Sequence, residues 1–329
     1  MENPLYFVVN KGTSFQQLIN PTQQLLINNP TFCFSFFRGV ILEISFPLIM
    51  QAIANGLAMG GLYILIALGL TLLLSIMKIL QLAHGEVYMI GAYVVYYLAV
   101  SFGFNLFVSI LISMAAMASV GVILERLLFR PCGDDYVAAI VVSIGLTMIL
   151  QSFAVSAFGL FERSIPRLAR GSFHFMGIAV PKDRIMALWI AAILSVLLYL
   201  FLKKTKYGQA MVASAQNPEA ARLRGINPHF MAPLSMAIAC GLAAVGGAMA
   251  GSILMLTPFM GILPLVKGLI IIVIGGMGSL SGAIIGGILL GLIDGIFPVF
   301  FGVVVASIAP LLIVVIVILV KPQGLFGHE

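Results

Sequence analysis

From residue 51 to residue 320 the chain is a succession of apolar runs, with only three polar stretches between them. A helix needs about 20 mostly apolar residues to cross the hydrocarbon core of a bilayer. Candidates fall near 33–50, 51–77, 86–101, 105–124, 137–160, 185–202, 231–256, 265–277, 281–297 and 301–320. Several are short or crowded with glycine and read as half-helices that enter and leave on one side. Of the 329 residues, 61% are hydrophobic and 9% charged, whereas a soluble domain has about 45–50% apolar and about 25% charged residues. A soluble fold of this length has too little interior to hide so much apolar side chain. Open sheets cannot span lipid, because their edge amides go unpaired, and the segments lack the period-2 alternation of a barrel. The sequence therefore predicts an all-α integral membrane protein, a polytopic bundle of about 8–10 transmembrane helices, some short or broken.

The polar stretches set the expected topology. The first is Glu125-Arg126-Leu127-Leu128-Phe129-Arg130-Pro131 with Asp134 and Asp135. The second, 161–184, carries Arg163, Arg167, Arg170, Lys182 and Arg184; the third, 203–230, carries Lys203, Lys204, Lys206, Arg222 and Arg224. Two crossings separate the first from the third, so these share a side. Their basic residues favour the cytoplasm under the positive-inside rule. Lys321 joins them if an even number of crossings follows residue 230. Residues 1–30 are polar and rich in Asn and Gln, without the basic start and apolar run of a signal peptide, so the crossings themselves are expected to direct insertion. Cys33, Cys132 and Cys240 are scattered, with neither metal-ligand spacing nor a disulfide framework. The net charge of +6 fits basic loops rather than a nucleic-acid surface.

Three motifs interrupt the apolar pattern. Gln81-Leu82-Ala83-His84-Gly85-Glu86 places ionisable groups within an apolar region, where such residues face a cavity or a partner. Gly85 can break a helix, and Glu86 suits the positive end of the next one. A break lining a pathway and a capped loop at the interface fit this spacing equally. Gly275-Gly276-Met277-Gly278-Ser279-Leu280-Ser281-Gly282 cannot hold an uninterrupted helix unaided, and broken helices are tolerated where they line a cavity or are buried in protein. It lacks the Lys and Ser/Thr of a phosphate loop. Glycines at spacing four, Gly247 with Gly251, Gly278-Gly282-Gly286 and Gly287-Gly291-Gly295, form faces for close helix packing. For most of these glycines packing alone is the expected role.

The third motif spans Gly208 to Asn227. Asn217 is a good N-cap and Pro218 suits the first helical position. Glu219 falls in the first turn, and Arg222 and Arg224 lie toward the end, each favoured by the helix dipole. Gly225 can terminate the helix. A short helix so well punctuated, outside the lipid, suits docking to a cytoplasmic partner better than mere connection. Catalytic constellations are missing: the four histidines do not pair at ligand spacing, and no HExxH or nucleophile elbow occurs. No metal and no cofactor is expected. Asp294 stands alone within an apolar run, its role left open.

In these blocks the chain resembles the permease subunits of branched-chain amino acid ABC importers, of the LivH type. The likeness covers about 47–326. It begins at Asn55-Gly56-Leu57-Ala58-Met59-Gly60-Gly61-Leu62-Tyr63 and Ala67-Leu68-Gly69-Leu70-Thr71. It continues through Ala83-His84-Gly85-Glu86 with Met89-Ile90-Gly91-Ala92-Tyr93, and Glu125-Arg126 with Phe129-Arg130-Pro131. Ser143-Ile144-Gly145-Leu146, Leu150-Gln151, Tyr207-Gly208-Gln209-Ala210-Met211 and the Asn217–Asn227 helix follow in order. Gly275-Gly276-Met277-Gly278-Ser279 and Lys321-Pro322-Gln323-Gly324-Leu325-Phe326-Gly327 close it. The resemblance implies a multi-pass permease of the bacterial cytoplasmic (inner) membrane. Its partners would be a second permease subunit, two cytoplasmic ABC ATPases and an external, periplasmic substrate-binding protein that delivers an amino acid. It would itself be no enzyme. Asn217, Glu219, Ala220, Arg222, Gly225 and Ile226 would form the ATPase-coupling loop. His84, Gly85, Glu86, Gly275, Gly276, Gly278, Ser279 and Gly282 are the candidate pathway positions at helix breaks.

Two departures touch that pathway: Gln81-Leu82 stands where the family has Asn-Phe, and Ser281 where many members have Pro. Residues 1–46 lie outside the resemblance, as an extension before the permease domain of 47–329. A further membrane segment there is interrupted by Arg38 and Glu43; alternatively, the native start is Met50. A permease for urea or short amides shares most of these blocks and is the nearest alternative. An ion-coupled secondary carrier would favour an intramembrane acid pair or relay, for which Glu86 and Asp294 are the candidates.

Overall fold

The structure is a computed structural model that describes residues 46–326, apart from 134, 176–177 and 322. The extension before Phe46, with Arg38, Glu43 and Cys33, lies outside the described residues, as does Asp134. Ten helices and one small hairpin follow in order among them. They are α1 (Phe46–Met77), α2 (His84–Tyr96), α3 (Leu106–Leu124), α4 (Tyr136–Phe158), β1 (Ser172–Phe175), β2 (Ile178–Pro181), α5 (Lys182–Lys204), α6 (Lys206–Gln216), α7 (Pro218–Leu223), α8 (Pro228–Ile253), α9 (Ile262–Gly275) and α10 (Leu280–Val320). A π turn extends α2 through Tyr97–Ser101, and a π turn followed by a 3-10 turn extends α3 to Cys132. Six helices are long and apolar enough to cross a membrane: α1, the extended α3, α4, α5, α8 from Phe230, and α10. The all-helical multi-pass bundle expected from the sequence is the one found.

Polar groups at the ends show why the helices start where they do. Asn105 accepts from Phe107 N at 2.9 Å, and Asp135 accepts from Val137 N and Ala138 N at 3.0 and 3.1 Å. Each satisfies amides that have no partner within their helix. At the far end of α3, Glu125 is buried and accepts from Arg130 Nε and NH2 at 3.2 and 3.1 Å.

The long α1 is the axis of the bundle. Unlike α3, α4 and α5, it is buried over most of its apolar window. Its Gly56 and Gly60 lie against the backbone of α10: a Cβ on Gly56 would sit 2.7 Å from Gly291 O, and one on Gly60 2.9 Å from Gly287 O. Gly61 faces Ala191 and Leu188 of α5, Gly69 faces α8 at Ala239, and Ile66 and Leu70 lie against Gly268 of α9. On its other sides α8 packs along α2 and α3, through Gly91 against Ala244 and Gly121 against Cys240. Lipid tails are as apolar as leucine, so burial gives little drive for helices to associate, and close backbone approach takes over. The glycines spaced by four serve this packing: Gly287, Gly291 and Gly295 meet α1, and Gly282 and Gly286 meet α9.

Two crossings are composite. After Met77 the chain turns at Lys78, a non-glycine residue with φ 54°, and goes back inward. The helix α2 starts at His84, whose ring lies against Gly69. Gly69 is eight residues before the end of α1, about 12 Å in at 1.5 Å per residue. From the opposite end, residues 254–261 turn inward before α9 begins. The C-terminal region adds a hairpin of helices. Helix α10 breaks at Gly302, at φ 79° and ψ 165°. The tail after its second arm returns to the start of its first, where Leu325 N and Phe326 N donate to Ile274 O and Gly275 O at 2.8 and 3.1 Å. Residues 281–297 and 301–320 are therefore two crossings, and four crossings follow residue 230. Lys321 accordingly lies at the end of the bundle that carries 203–230. The other end carries the β1–β2 hairpin, tied to α1 by Gln51, whose side chain bonds Ala179 O and N at 2.8 and 3.1 Å, and by Arg184 bonded to Asn55.

Leucine at Gly291 should separate α1 from α10. Overpacking an ordinary core costs about 1–3 kcal/mol, and backbone yields less than a side chain. Gly291→Leu is expected to lower the thermal midpoint of the detergent-purified protein. Gly145→Leu, where a Cβ meets nothing within 4 Å, should leave it unchanged. Equal midpoints would refute the contact.

Candidate functional site: helix breaks and the 203–230 face

The capped element expected at 208–227 forms as two short helices. Thr205 opens α6, its Oγ1 accepting from Gly208 N at 3.0 Å and donating to Phe201 O at 2.7 Å. Gly208 sits directly on the last turn of α5, where a Cβ would lie 2.5 Å from Leu202 Cα. Asn217 then caps α7, its Oδ1 accepting from Ala220 N at 3.0 Å, with Pro218 in the first turn. Gly225, at φ 79°, ends the helix, and Ile226 N closes back on Ala221 O at 3.0 Å. Met211, Ser214 and Ala221 are buried beneath, whereas Glu219, Ala220, Arg222 and Arg224 are exposed. Leu223 is 90% exposed at the tip. Sequence reading found the cap and the stop but missed Leu223, whose neighbours make it look like an ordinary turn residue.

The break at Gly275–Gly282 lies at this same end. The last turn of α9 and the first of α10 cross at Gly275 and Gly282, where a Cβ on Gly275 would meet Ala283 N at 3.0 Å. Gly276 and Gly278 take positive φ of 97° and 87°. Ser279 caps α10, accepting from Gly282 N at 3.1 Å. Gly278, Ser279 and Met277 line an open groove of about 610 Å³ together with Ser75 and Lys78 of the α1 end and Val212, Ala215 and Gln216 of α6. The loop and α6 thus share one concavity.

The break around His84 is elsewhere, inside the bundle. The backbone turns over 78–83, and Gly85 is already the second residue of α2. Glu86 lies in the first turn, at the positive end of the helix as expected, while the N-cap position falls on Ala83 with no side-chain bond. Glu86 Oε1 accepts from Gln151 Nε2 of α4 at 2.9 Å. Ala83 N donates to Ser143 Oγ at 3.1 Å. Gly85 lies against Gly261 at the start of α9, where a Cβ would sit 3.0 Å from the Gly261 carbonyl carbon. The N-termini of the two inward-starting helices therefore meet there. Gln81, His84 and Glu86 are all buried, and both nitrogens of His84, both amide atoms of Gln81 and Glu86 Oε2 have no hydrogen-bond partner among the described residues. Gly261 escaped the sequence reading because a single glycine in Phe259-Met260-Gly261-Ile262 looks like an ordinary loop residue.

Asp294 is placed too. Its Oδ1 is 2.7 Å from Lys267 Nζ of α9, and its Oδ2 accepts from Tyr63 OH of α1 at 2.8 Å. Lys267, within an apolar helix, was not singled out from sequence.

The family described as the permease component of branched-chain amino acid transport systems matches residues 52–321. The chain is 29% identical over 294 residues to the high-affinity branched-chain amino acid transport system permease protein LivH of Escherichia coli K12, covering 85% of this chain and 96% of that one. It is equally similar to the corresponding protein BraD of Pseudomonas aeruginosa, with the same coverage. A second protein of E. coli K12, the permease protein LivM of a system with the same description, is 25% identical over 232 residues, 63% of this chain and 54% of that one.

The cap on α7 is open to direct measurement. Asn217→Ala should cost about 1 kcal/mol of local helix stability, so amides 220–223 should exchange about fivefold faster. Asn217→Asp should keep their protection. Equal exchange in Asn217→Ala would mean that α7 is held by its contacts alone.

Proposed function

The chain belongs to the family of permease components of branched-chain amino acid transport systems, and we propose that it is one of two permease subunits of an ATP-driven importer for branched-chain amino acids. The observation that carries this reading is the capped α6–α7 elbow, solvent-exposed at its tip and seated on the end of α5. ATP would be hydrolysed on separate cytoplasmic ATPase subunits, since this chain carries no phosphate loop. A second permease is supported by the two E. coli permeases, LivH and LivM, that both match this chain. Charge supports the orientation. Lys78, Arg126, Arg130, Lys203, Lys204, Lys206, Arg222, Arg224 and Lys321 lie at the elbow end, against Arg163, Arg167, Arg170, Lys182 and Arg184 at the hairpin end. The excess supports an orientation with the elbow in the cytoplasm of a bacterial inner membrane and the hairpin toward an external binding protein.

In this scheme Asn217, Glu219, Ala220, Arg222, Gly225 and Ile226 shape the contact with the ATPase, and Leu223 supplies its apolar centre. Movement of the ATPases displaces α7 as a rigid turn. Gly208, in backbone contact with α5, passes the movement into the bundle, and the groove lets the Gly276–Ser279 loop shift with it. His84, Gly85 and Glu86, with Gly275, Gly276, Gly278, Ser279 and Gly282, are the hinge points at which the pathway opens. Residues 47–329 form this permease domain.

Uptake of labelled leucine in cells lacking their own importers tests the reading. The cells would carry this chain with its neighbouring permease, ATPases and binding protein. Uptake that depends on this subunit and stops with an ATPase-dead partner is the expected result. Subunit-dependent uptake of urea but not leucine would move the substrate and keep the architecture. Uptake by this chain alone that collapses with the ion gradient would overturn the ABC reading. Leu223→Asp and Gly225→Val should each lower leucine uptake about tenfold or more with the permease still inserted; full uptake in both would remove the elbow from the coupling path.

A further inference from the structure

Lys267, Asp294 and Tyr63 come from three helices and meet inside the membrane-spanning bundle. Tyr63 lies 14 residues before the end of α1, about 21 Å from the elbow end. Both carboxylate oxygens of Asp294 have a donor, at 2.7 and 2.8 Å, and the Lys267 ammonium stands 6.0 Å from the centre of the Tyr63 ring. An ammonium has three donors, and this one spends one of them on Asp294. The cluster is not sealed: the side chains of Lys267 and Asp294 keep 16% and 17% of their surface. One turn before Lys267, Leu263 is 73% exposed.

Two arguments separate this cluster from a structural tie. The helices it joins are already in contact without it, α1 with α10 through Gly56, Gly60 and Gly291, and α9 with α10 through Gly275 and Gly282. Apolar residues would hold them with no desolvation cost, because an internal ion pair is a weak source of stability. A partly open ion pair also cannot face lipid. Ionisable groups at membrane depth turn to a bundle interior or to a water-filled path.

We propose that the Lys267–Asp294 pair is a binding station for the charged end of a zwitterionic α-amino acid on the translocation pathway. The inference rests on the importer reading above and names the residues it left unassigned. The substrate carboxylate takes the Lys267 ammonium while the substrate ammonium takes the Asp294 carboxylate, and Tyr63 keeps its hydrogen bond to Oδ2. The exchange is one of partners only, with no bond made or broken. Two opposite charges meet two opposite charges, so no uncompensated charge stands in the membrane at any stage. A substrate lacking either charged group would leave one protein charge unpaired, so the station discriminates against deaminated acids and amides. The side chain of the amino acid needs no polar contact, consistent with the apolar Leu263 and Val266 on the same helix.

The test uses the complete importer in proteoliposomes, with labelled leucine outside and ATP within. Lys267→Met and Asp294→Asn each leave one charge unpaired and should lower uptake about tenfold or more. The double variant Lys267→Met with Asp294→Asn removes both charges and relieves that imbalance. It should assemble, keep ATP hydrolysis stimulated by the loaded binding protein, and still fail to pass leucine. Recovery of uptake in the double variant would reduce the pair to a structural tie and overturn the proposal. So would failure of the double variant to assemble, which would place the pair in the fold. Absence of leucine uptake by the unaltered importer would instead overturn the importer reading on which the station rests.

Discussion

Helices in a bilayer gain little by hiding apolar surface from one another, so this bundle depends on how closely their backbones can approach. The central α1 shows the constraint at its sharpest. Gly56 and Gly60 let α10 lie directly on its backbone, Gly61 admits α5, and Gly69 opens the space that His84 fills. At Gly56 and Gly60 a side chain would collide with the main chain of α10, and at Gly69 with the His84 ring. The same economy recurs between α2 and α8 and between α9 and α10. Van der Waals packing at this range replaces the hydrophobic force that would organise a soluble bundle.

That packing makes room for two costly features. One is the pair of inward-starting helices, whose N-termini meet at Gly85 and Gly261. Irregular backbone at such depth survives where it lines a cavity or is buried in protein, and Gln81, His84 and Glu86 are buried. Bonds from Ser143 and Gln151 of α4 satisfy part of the polar demand. The other is the ion pair of Lys267 and Asp294, braced by Tyr63. Both features sit beside glycine contacts, where the helices are held independently of them.

The elbow end is organised differently. Its parts are local: a Thr cap, an Asn cap, a Pro in the first turn and a glycine at positive φ, all within 205–225. Local devices of this kind give a short helix a definite shape without deep burial. A rigid, exposed turn set on the end of a crossing helix is a form suited to passing movement between an aqueous partner and the bundle. The Gly276–Ser279 loop across the groove is shaped instead by two positive-φ glycines and by a bond from Ser75 Oγ to Gly278 O at 3.3 Å.

What the sequence determined by itself was whatever depends on near neighbours. The length and apolarity of the runs required helices in a membrane, because the other backbone form satisfied there, a closed barrel, needs a period-2 alternation that these runs lack. The Asn217, Pro218 and Gly225 spacing gave α7, because caps act over three or four residues. The Gly275–Gly282 cluster gave the end of α9 and the start of α10 for the same reason. The tertiary structure alone decided where breaks and charges meet. Gly261 finds Gly85, Lys267 finds Asp294, and Glu86 finds Gln151, 65 residues away. It also showed that 280–320 reverses at Gly302, which fixes the end at which Lys321 lies. These pairings join residues from separate crossings, and the angle and depth at which crossings pack come from the summed fit of many small side chains. No spacing along the chain encodes that sum.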